Sequence, residues 1–344
     1  MLETHQTEES PPTALYRLLN GVKLAFGCLL GLPFLLVLLP LWSLYRWNER
    51  RQGHADPENP WHLLWHALRG RPETDAWLQR PSSPRITAVA PAILQPAPVP
   101  GPHELALLTG GSSRLGRIIA PELANQGYRV ILTYHRANHA AAAVVAQIQA
   151  QNGQAHALAM DLNDPDHMAK VVKQIVDQWG TPRLLINNAS LFRATPLQQL
   201  DWQTLEHMLR INLHAPLWLA ARLGQRMQQE AQQGAPPGQI IQLCDIWGER
   251  ALAGHSVYST SKAGLIMATR SLARELAPLV RVNGIAPGAI IGPAEDPGWQ
   301  TLLRHTPLAR QASPQAVLQA IRYLLHTPYV TGEILHVDGG RSLL

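Results

Sequence analysis

The chain has 344 residues, 46% of them hydrophobic, and a formal net charge of +5 at pH 7. That length is long for one domain and short for two full ones, so one α/β domain of about 240 residues plus an appendage is expected. The basic residues are scattered, with no stripe, recognition helix or aromatic-basic module, which argues against nucleic-acid binding. The two cysteines, Cys28 and Cys244, have neither a disulfide framework's pattern nor zinc-ligand spacing, so the soluble part reads as a protein of a reducing compartment.

Residues 1–21 form a polar tail. Residues 22–47 are expected to be a single transmembrane helix: the run from Leu24 to Leu44 carries no charge and is long enough to cross a bilayer, with Pro33 and Pro40 tolerable as kinks. A buried core helix is the competing reading, but Trp42, Tyr45 and Trp47 gather at one end as an aromatic belt would. Arg46, Arg50 and Arg51 after the run, against Arg17 and Lys23 before it, favour a cytoplasmic catalytic part. Residues 48–102 combine an amphipathic stretch with a stiff linker. In the former, Trp61, Leu64, Trp65 and Leu68 share a helical face, while Pro81, Pro84, Pro91, Pro96, Pro98, Pro100 and Pro102 mark the latter. His62 and His66 have metal-ligand spacing, but no carboxylate or third ligand is placed to join them, so no metal is expected.

From residue 103 to 344 short apolar runs alternate with helical stretches. The strands are ELALLT, YRVILTYH, QAHALAM, LLINNA, QIIQLCD, RVNGIAP and EILHV. The helices run to about Asn125, over Ala140–Gln151, Asp166–Trp179, Asp201–Gln229 as one or two, Tyr258–Ala277 and Pro314–Leu325. Strands that are apolar on both faces and separated by helices imply a parallel sheet covered on both sides. The fold class is therefore α/β, a doubly wound parallel sheet of the Rossmann type, preceded by the transmembrane helix and the Pro-rich linker.

Thr109-Gly110-Gly111-Ser112-Ser113-Arg114-Leu115-Gly116 lies where the first strand meets the first helix, the place of a phosphate-binding turn. Arg114 replaces the central glycine of the usual fingerprint. The second strand ends in Tyr134-His135-Arg136 rather than an acidic residue; with Arg114 nearby, these cations suit a 2′-phosphate and select NADPH. Asp161-Leu162 is placed to flank the adenine, although Asp161 serves equally as a helix cap. Asn187-Asn188-Ala189 ends the fourth strand at the mouth where a dinucleotide lies. Tyr258-x-x-x-Lys262 puts a phenol and an ammonium one turn apart on a helix, where the cation lowers the phenol's pKa and makes it a proton donor and acceptor.

With the glycine turn, Asn-Asn-Ala, Asn212, Tyr258-x-x-x-Lys262 and Pro287-Gly288 in that order, residues 104–344 resemble the short-chain dehydrogenase/reductase family. They are most similar to its pteridine reductases, including the dihydromonapterin reductase type. The resemblance implies a Tyr proton donor at Tyr258, its Lys at Lys262 holding the ribose, and an Asn at Asn212 ordering a water relay. Where most members carry Ser, this chain has Asp245, as pteridine reductases do. Arg114 to Gly116, Asn187 to Ser190, Phe192, Tyr134 to Arg136 and Glu275 to Pro278 look like the same subgroup. The resemblance implies NADPH contacts from Thr109, Gly110, Ser112, Ser113, Arg114, Leu115, Gly116, Asn188, Ala189, Ser190, Tyr258, Lys262, Pro287, Gly288 and Ile290. Substrate contacts are expected from Arg114, Ser190, Phe192, Asp245 and Tyr258, with Phe192 stacking on a flat pterin ring. Ala289-Ile290-Ile291-Gly292 lacks the Thr common in the wider family; Trp247 and Trp299 either shape the pocket or simply pack. The expected activity is hydride transfer from NADPH to a C=N bond of a pterin or dihydropterin, in a membrane-anchored homo-oligomer, tetramer or dimer. The alternatives are a carbonyl or 3-oxoacyl reductase on the same fold and a non-catalytic, membrane-tethered NADPH-binding protein.

Overall fold

Each strand comes from a short apolar run whose alternate side chains enter two different cores. In β1 (Leu105–Leu108), Ala106 and Leu108 face one core and Leu105 and Leu107 the other. Full burial of each such leucine stabilises by about 1.5–3 kcal/mol. The computed structural model describes residues 104–292 and 297–344. The polar tail 1–21, the predicted membrane helix 22–47 and the linker segment 48–102, with Cys28, His62 and His66, lie outside them. Among the described residues no helix is long and apolar enough to cross a membrane.

The remaining strands are β2 (Arg129–Tyr134), β3 (Ala155–Ala159), β4 (Leu184–Asn187), β5 (Gly238–Leu243), β6 (Val280–Pro287) and β7 (Ile334–Val337). All seven form one sheet in the order β3-β2-β1-β4-β5-β6-β7, and every neighbouring pair is parallel. The order reverses between β1 and β4, which opens a crevice at the carboxyl ends of those strands. The doubly wound α/β expectation holds.

Helices cover both faces. On one lie α1 (Gly116–Asn125), α2 (Asn138–Ala150) and α8 (Pro314–His326), contributing Ile119, Val144 and Ile321 to the core. On the other lie α3 (Pro165–Trp179), α5 (Ala215–Gln232) and α6 (Ser256–Leu276), contributing Ile175, Leu219 and Leu272. The sequence dictates several starts: Asp164 accepts from the Asp166 and His167 amides before Pro165, and Ser313 caps α8 before Pro314. The stretch expected as one or two helices from Asp201 is α4 (Trp202–Leu209), capped by Asp201, then a π-helical turn at Arg210–His214, then α5. A short helix, α7 (Pro297–Arg304), was not anticipated.

Candidate active site

Asp245 leaves β5 two residues past its end and opens a tight turn, its Oδ1 accepting the Trp247 amide at 3.0 Å. α6 begins so that Tyr258 lies in its first turn with only 4% of its surface exposed. Its hydroxyl donates to Asp245 Oδ2 at 2.7 Å. One turn on, Lys262 is 2% exposed; Nζ donates to the Leu243 carbonyl at 2.8 Å and lies 5.8 Å from the Tyr258 ring centre. Aspartate, phenol and ammonium thus meet at the carboxyl end of β5.

Burial sets the electrostatics. It pushes the Asp245 carboxyl above its ordinary range, although the Trp247 amide, the Tyr258 hydroxyl and Lys262 oppose it. Burial, then the Asp245 charge, raises the Tyr258 phenol, and burial lowers Lys262. The expectation that Lys262 lowers the phenol is therefore corrected. Burial first, and then the carboxylate in hydrogen-bond contact, raise the phenol, so Tyr258 is held protonated as a donor.

Asn212 sits in the π-helical turn, a break in regular helix of the kind found at functional sites. Its Oδ1 accepts the Leu191 amide at 2.7 Å and the Ser190 hydroxyl at 3.3 Å; its Nδ2 donates to the Leu191 carbonyl at 2.9 Å and Ser261 Oγ at 3.2 Å. The carboxamide is thus committed to gripping the loop after β4, and any water relay from it would have to compete with those bonds. Ser261, which sequence reasoning passed over, is fully buried and donates to the Tyr258 carbonyl at 2.6 Å, locking the turn between Tyr258 and Lys262. Its place inside the Tyr-x-x-x-Lys motif was the available signal.

The gripped loop carries Phe192, 53% exposed, whose ring meets Tyr258 edge-on at 4.8 Å. One face of Phe192 is already stacked by His255, with centroids 4.7 Å apart and planes 15° from parallel. A flat ligand would have to use its other face. Sequence reasoning did not single out His255, because nothing local signals a stack between residues 63 positions apart.

In the glycine turn, Gly110 has φ +63°, and a Cβ there would sit 2.9 Å from Ala189 Cα. At Gly116 a Cβ would sit 2.2 Å from the Gly110 carbonyl oxygen and 3.0 Å from Asn188 Nδ2. The α1 amino end carries no side-chain cap and no acid in its first turn, which leaves it suited to a phosphate. Ser113 and Arg114 are exposed on the turn, Arg114 with φ +26°, whereas Ser112 is buried and Leu115 packs on the α1 core. Thr109 faces inward: its hydroxyl accepts the Asn188 and Ala189 amides at 3.0 and 3.1 Å, while Asn188 Nδ2 bonds the Thr109 and Gly110 carbonyls. These residues tie β1 to β4 beneath the turn.

At the β2 end, His135 Nε2 lies 3.6 Å from Asp161 Oδ2, and Asp161 Oδ1 accepts the Asn163 amide. Asp161 therefore acts as a turn acceptor and neighbour of His135, Leu162 packs against the core, and Arg136 is exposed beside half-buried Tyr134. After β6, Pro287 and Gly288 reach the same edge; Ile290 is buried, its carbonyl accepting from Gln311 at 3.0 Å. Trp299 packs on Gly292, where a Cβ would lie 2.3 Å from its ring, and donates to Gln311 at 3.0 Å. Among the described residues no group of three His, Cys, Asp or Glu side chains is placed to hold a metal.

Residues 104–299 match the short chain dehydrogenase family. A 3-oxoacyl-(acyl-carrier-protein) reductase of Synechocystis sp. is 32% identical over 242 residues, 69% of this chain and 96% of that protein. Among solved structures, FolM alternative dihydrofolate reductase 1 from Brucella canis, complexed with NADP, superposes with a TM-score of 0.64 at 29% identity, covering 71% of this chain and 96% of that one. A blue fluorescent protein from a metagenomic library, in complex with NADPH, superposes with a TM-score of 0.63 at 31% identity, covering 69% and 97%. With its sheet order, glycine turn and Asn-Tyr-Lys set, the chain belongs to the short chain dehydrogenase family.

Proposed function

We propose that this chain is an NADPH-dependent reductase that converts a C=N bond of a pterin or dihydropterin to CH–NH. The observation that carries the reading is the Asp245 carboxylate 2.7 Å from the Tyr258 hydroxyl, with the Phe192 ring edge-on to the same tyrosine. A ketone reductase needs a hydroxyl donor at the alkoxide, whereas reduction at a ring nitrogen benefits from an acid that is itself reloaded. The likeness to the Brucella canis alternative dihydrofolate reductase supports the same substrate class.

The residues present fit the dinucleotide. Gly110, Ser112, Ser113, Arg114, Leu115 and Gly116 would cradle the pyrophosphate at the α1 amino end. Tyr134, His135, Arg136, Asp161 and Leu162 would border the adenosine, with Arg136 and Arg114 offered to a 2′-phosphate. Thr109, Asn188, Ala189 and Ser190 shape the wall along β4, Pro287, Gly288 and Ile290 the wall along β6, and Lys262 retains two donors for ribose hydroxyls beside its bond to Leu243. NADPH supplies the hydride when bound. Tyr258 donates the proton to the substrate nitrogen, and the phenolate left behind is reprotonated from solvent by way of the Asp245 carboxyl 2.7 Å from its oxygen. Asn212 keeps Ser190 and Phe192 aligned with Tyr258.

NADPH oxidation by the full chain tests this, with dihydrobiopterin, dihydromonapterin and dihydrofolate beside a 3-oxoacyl thioester and simple ketones. Turnover of the pterins alone supports the reading. Turnover of the thioester or ketones alone overturns it in favour of the second reading, a carbonyl or 3-oxoacyl reductase, which the Synechocystis relative supports. Cofactor binding without turnover of any of them would point to a non-catalytic tethered protein. Residues 22–47 anchor the chain with its catalytic domain on the cytoplasmic side, a reading supported by the uncharged run and its flanking arginines. Full-length protein recovered in the soluble fraction without detergent would exclude the anchor. A tetramer or dimer of such anchored chains is the assembly proposed, tested by cross-linking in membranes.

A further inference from the structure

The carboxyl terminus reaches back to the catalytic turn. After β7, Asp338 accepts the Gly340 and Ser342 amides at 3.0 and 2.6 Å, folding residues 341–343 into a short 3₁₀ turn that aims Arg341 inward. The Arg341 Nη1 donates to the Leu302 carbonyl at 3.0 Å, in the last turn of α7, and lies 3.5 Å from Thr306 Oγ1. The same guanidinium lies 5.5 Å from the centre of the Trp247 ring, within cation–π range. The backbone carbonyl of Arg341 accepts from Arg250, three residues past Trp247. Trp247 in turn packs against the small cluster that holds Val257 and Tyr258 and against the one that holds Ile246 and Leu265. Its amide is the one held by Asp245.

We infer that Arg341 is a positioning residue for catalysis: it braces α7, which follows β6, against the Trp247 turn, which follows β5, and so fixes the separation of the two walls between which substrate enters. The inference rests on the reductase reading of this site but not on the choice of substrate. β5 and β6 are adjacent, and in a doubly wound sheet the segments leaving adjacent strand ends form the sides of the ligand crevice. A single side chain contacts both segments here, through a hydrogen bond on one side and a ring face on the other. Arginine is suited to that double role because its planar group donates in-plane while its face covers an aromatic ring. The bond to Leu302 also places a cation at the carboxyl end of a helix, where the dipole favours it.

The test is a double-mutant cycle on the full chain with Arg341→Ala, Trp247→Leu and the two combined, assayed with whichever pterin or 3-oxoacyl substrate the wild type reduces. Failure of the wild type on pterins would thus count against the substrate assignment and leave this test intact. Each single change is expected to raise the substrate KM at least about fivefold, with kcat and the NADPH Kd within about twofold, and the double variant to be no worse than the worse single one. Arg341→Lys, which keeps a donor for Leu302 but offers no planar face to Trp247, should show a raised KM as well, and it carries the test if the alanine variant does not fold. Effects that multiply in the double variant, or a KM unchanged in Arg341→Lys, overturn the inference. So does a fall in kcat that merely tracks a lower melting temperature at constant KM.

Discussion

Replacing Asp245 by Asn separates the two consequences of a carboxylate at this position. The side chains are nearly isosteric, and the Asn oxygen can still accept the Trp247 amide that Asp245 holds at 3.0 Å, so the turn should survive. What disappears is a negative charge 2.7 Å from the Tyr258 hydroxyl. A hydrogen bond to a charged group contributes about 1.5–3 kcal/mol, against about 0.5–1.5 kcal/mol for a neutral one. That bond is made by the resting, protonated phenol, so its loss lowers the Tyr258 pKa and does not by itself slow the chemical step. Loss of the group that reprotonates the phenolate removes the general acid–base contribution, about 10²- to 10⁴-fold. The expected result is a fall in kcat for dihydropterin of at least about 100-fold with the NADPH Kd within about twofold, read from NADPH absorbance and a fluorescence titration.

Stability should move the other way. Burial raises the Asp245 pKa above its ordinary value of 3.8, so the folded protein holds that proton more tightly than the unfolded chain does. Below 3.8 both states are protonated and the burial penalty is absent; as pH rises past that value the unfolded chain ionises first, and the folded state loses stability until its own carboxyl ionises. Asn does not titrate. The melting temperature of the cofactor-free Asn variant, relative to wild type, should therefore increase as the pH is raised from about 4 to 7. A variant that retains pterin turnover within about threefold of wild type, or whose thermal advantage shrinks as pH rises, refutes the reasoning.

Tyr258→Phe removes the proton donor while preserving ring packing against Phe192; turnover should fall by about 10²- to 10⁴-fold in a steady-state assay while the melting temperature stays near wild type. Gly116→Ala would place a methyl 2.2 Å from the Gly110 carbonyl oxygen, so the turn must open, and isothermal titration should show NADPH affinity weakened by at least about tenfold. Arg136→Ala should raise the KM for NADPH by about tenfold and leave that for NADH nearly unchanged, because only the former presents a 2′-phosphate to the exposed guanidinium. Equal effects on both cofactors would remove Arg136 from that role.

The sheet was readable because parallel strands buried on both faces appear as continuous apolar runs, and all seven expected runs became strands in one sheet. The reactive trio was readable for a different reason. Tyr258 and Lys262 are joined by spacing on one helix, whereas Asp245, two residues past a strand end, was joined to them by the resemblance to the short-chain family. What escaped depends on contacts that no local pattern encodes. The π-helical turn holding Asn212 arises where α4 gives way to α5 inside one apolar-periodic stretch, and periodicity averages over such a turn. His255 meets Phe192, and Arg341 meets Trp247, across separations of 63 and 94 positions.

The expectation about the phenol failed for a more instructive reason. Spacing reports that an ammonium lies one turn from a phenol, but the sign of the net shift depends on burial and on the nearest charge, and here a carboxylate is in direct contact with Tyr258 while Lys262 bonds to Leu243. In a member of this family with Ser at the Asp245 position, the same tyrosine and lysine would lack that opposing charge. The Asp245 substitution therefore changes the acid–base character of the whole trio, beyond the contacts of one side chain. Asp245→Ser should lower the Tyr258 pKa relative to wild type, and the pH dependence of ketone reduction by that variant, with its basic limb moved to lower pH, is where the change would be read. A basic limb that stays in place would mean that burial alone, without the carboxylate, holds the phenol protonated.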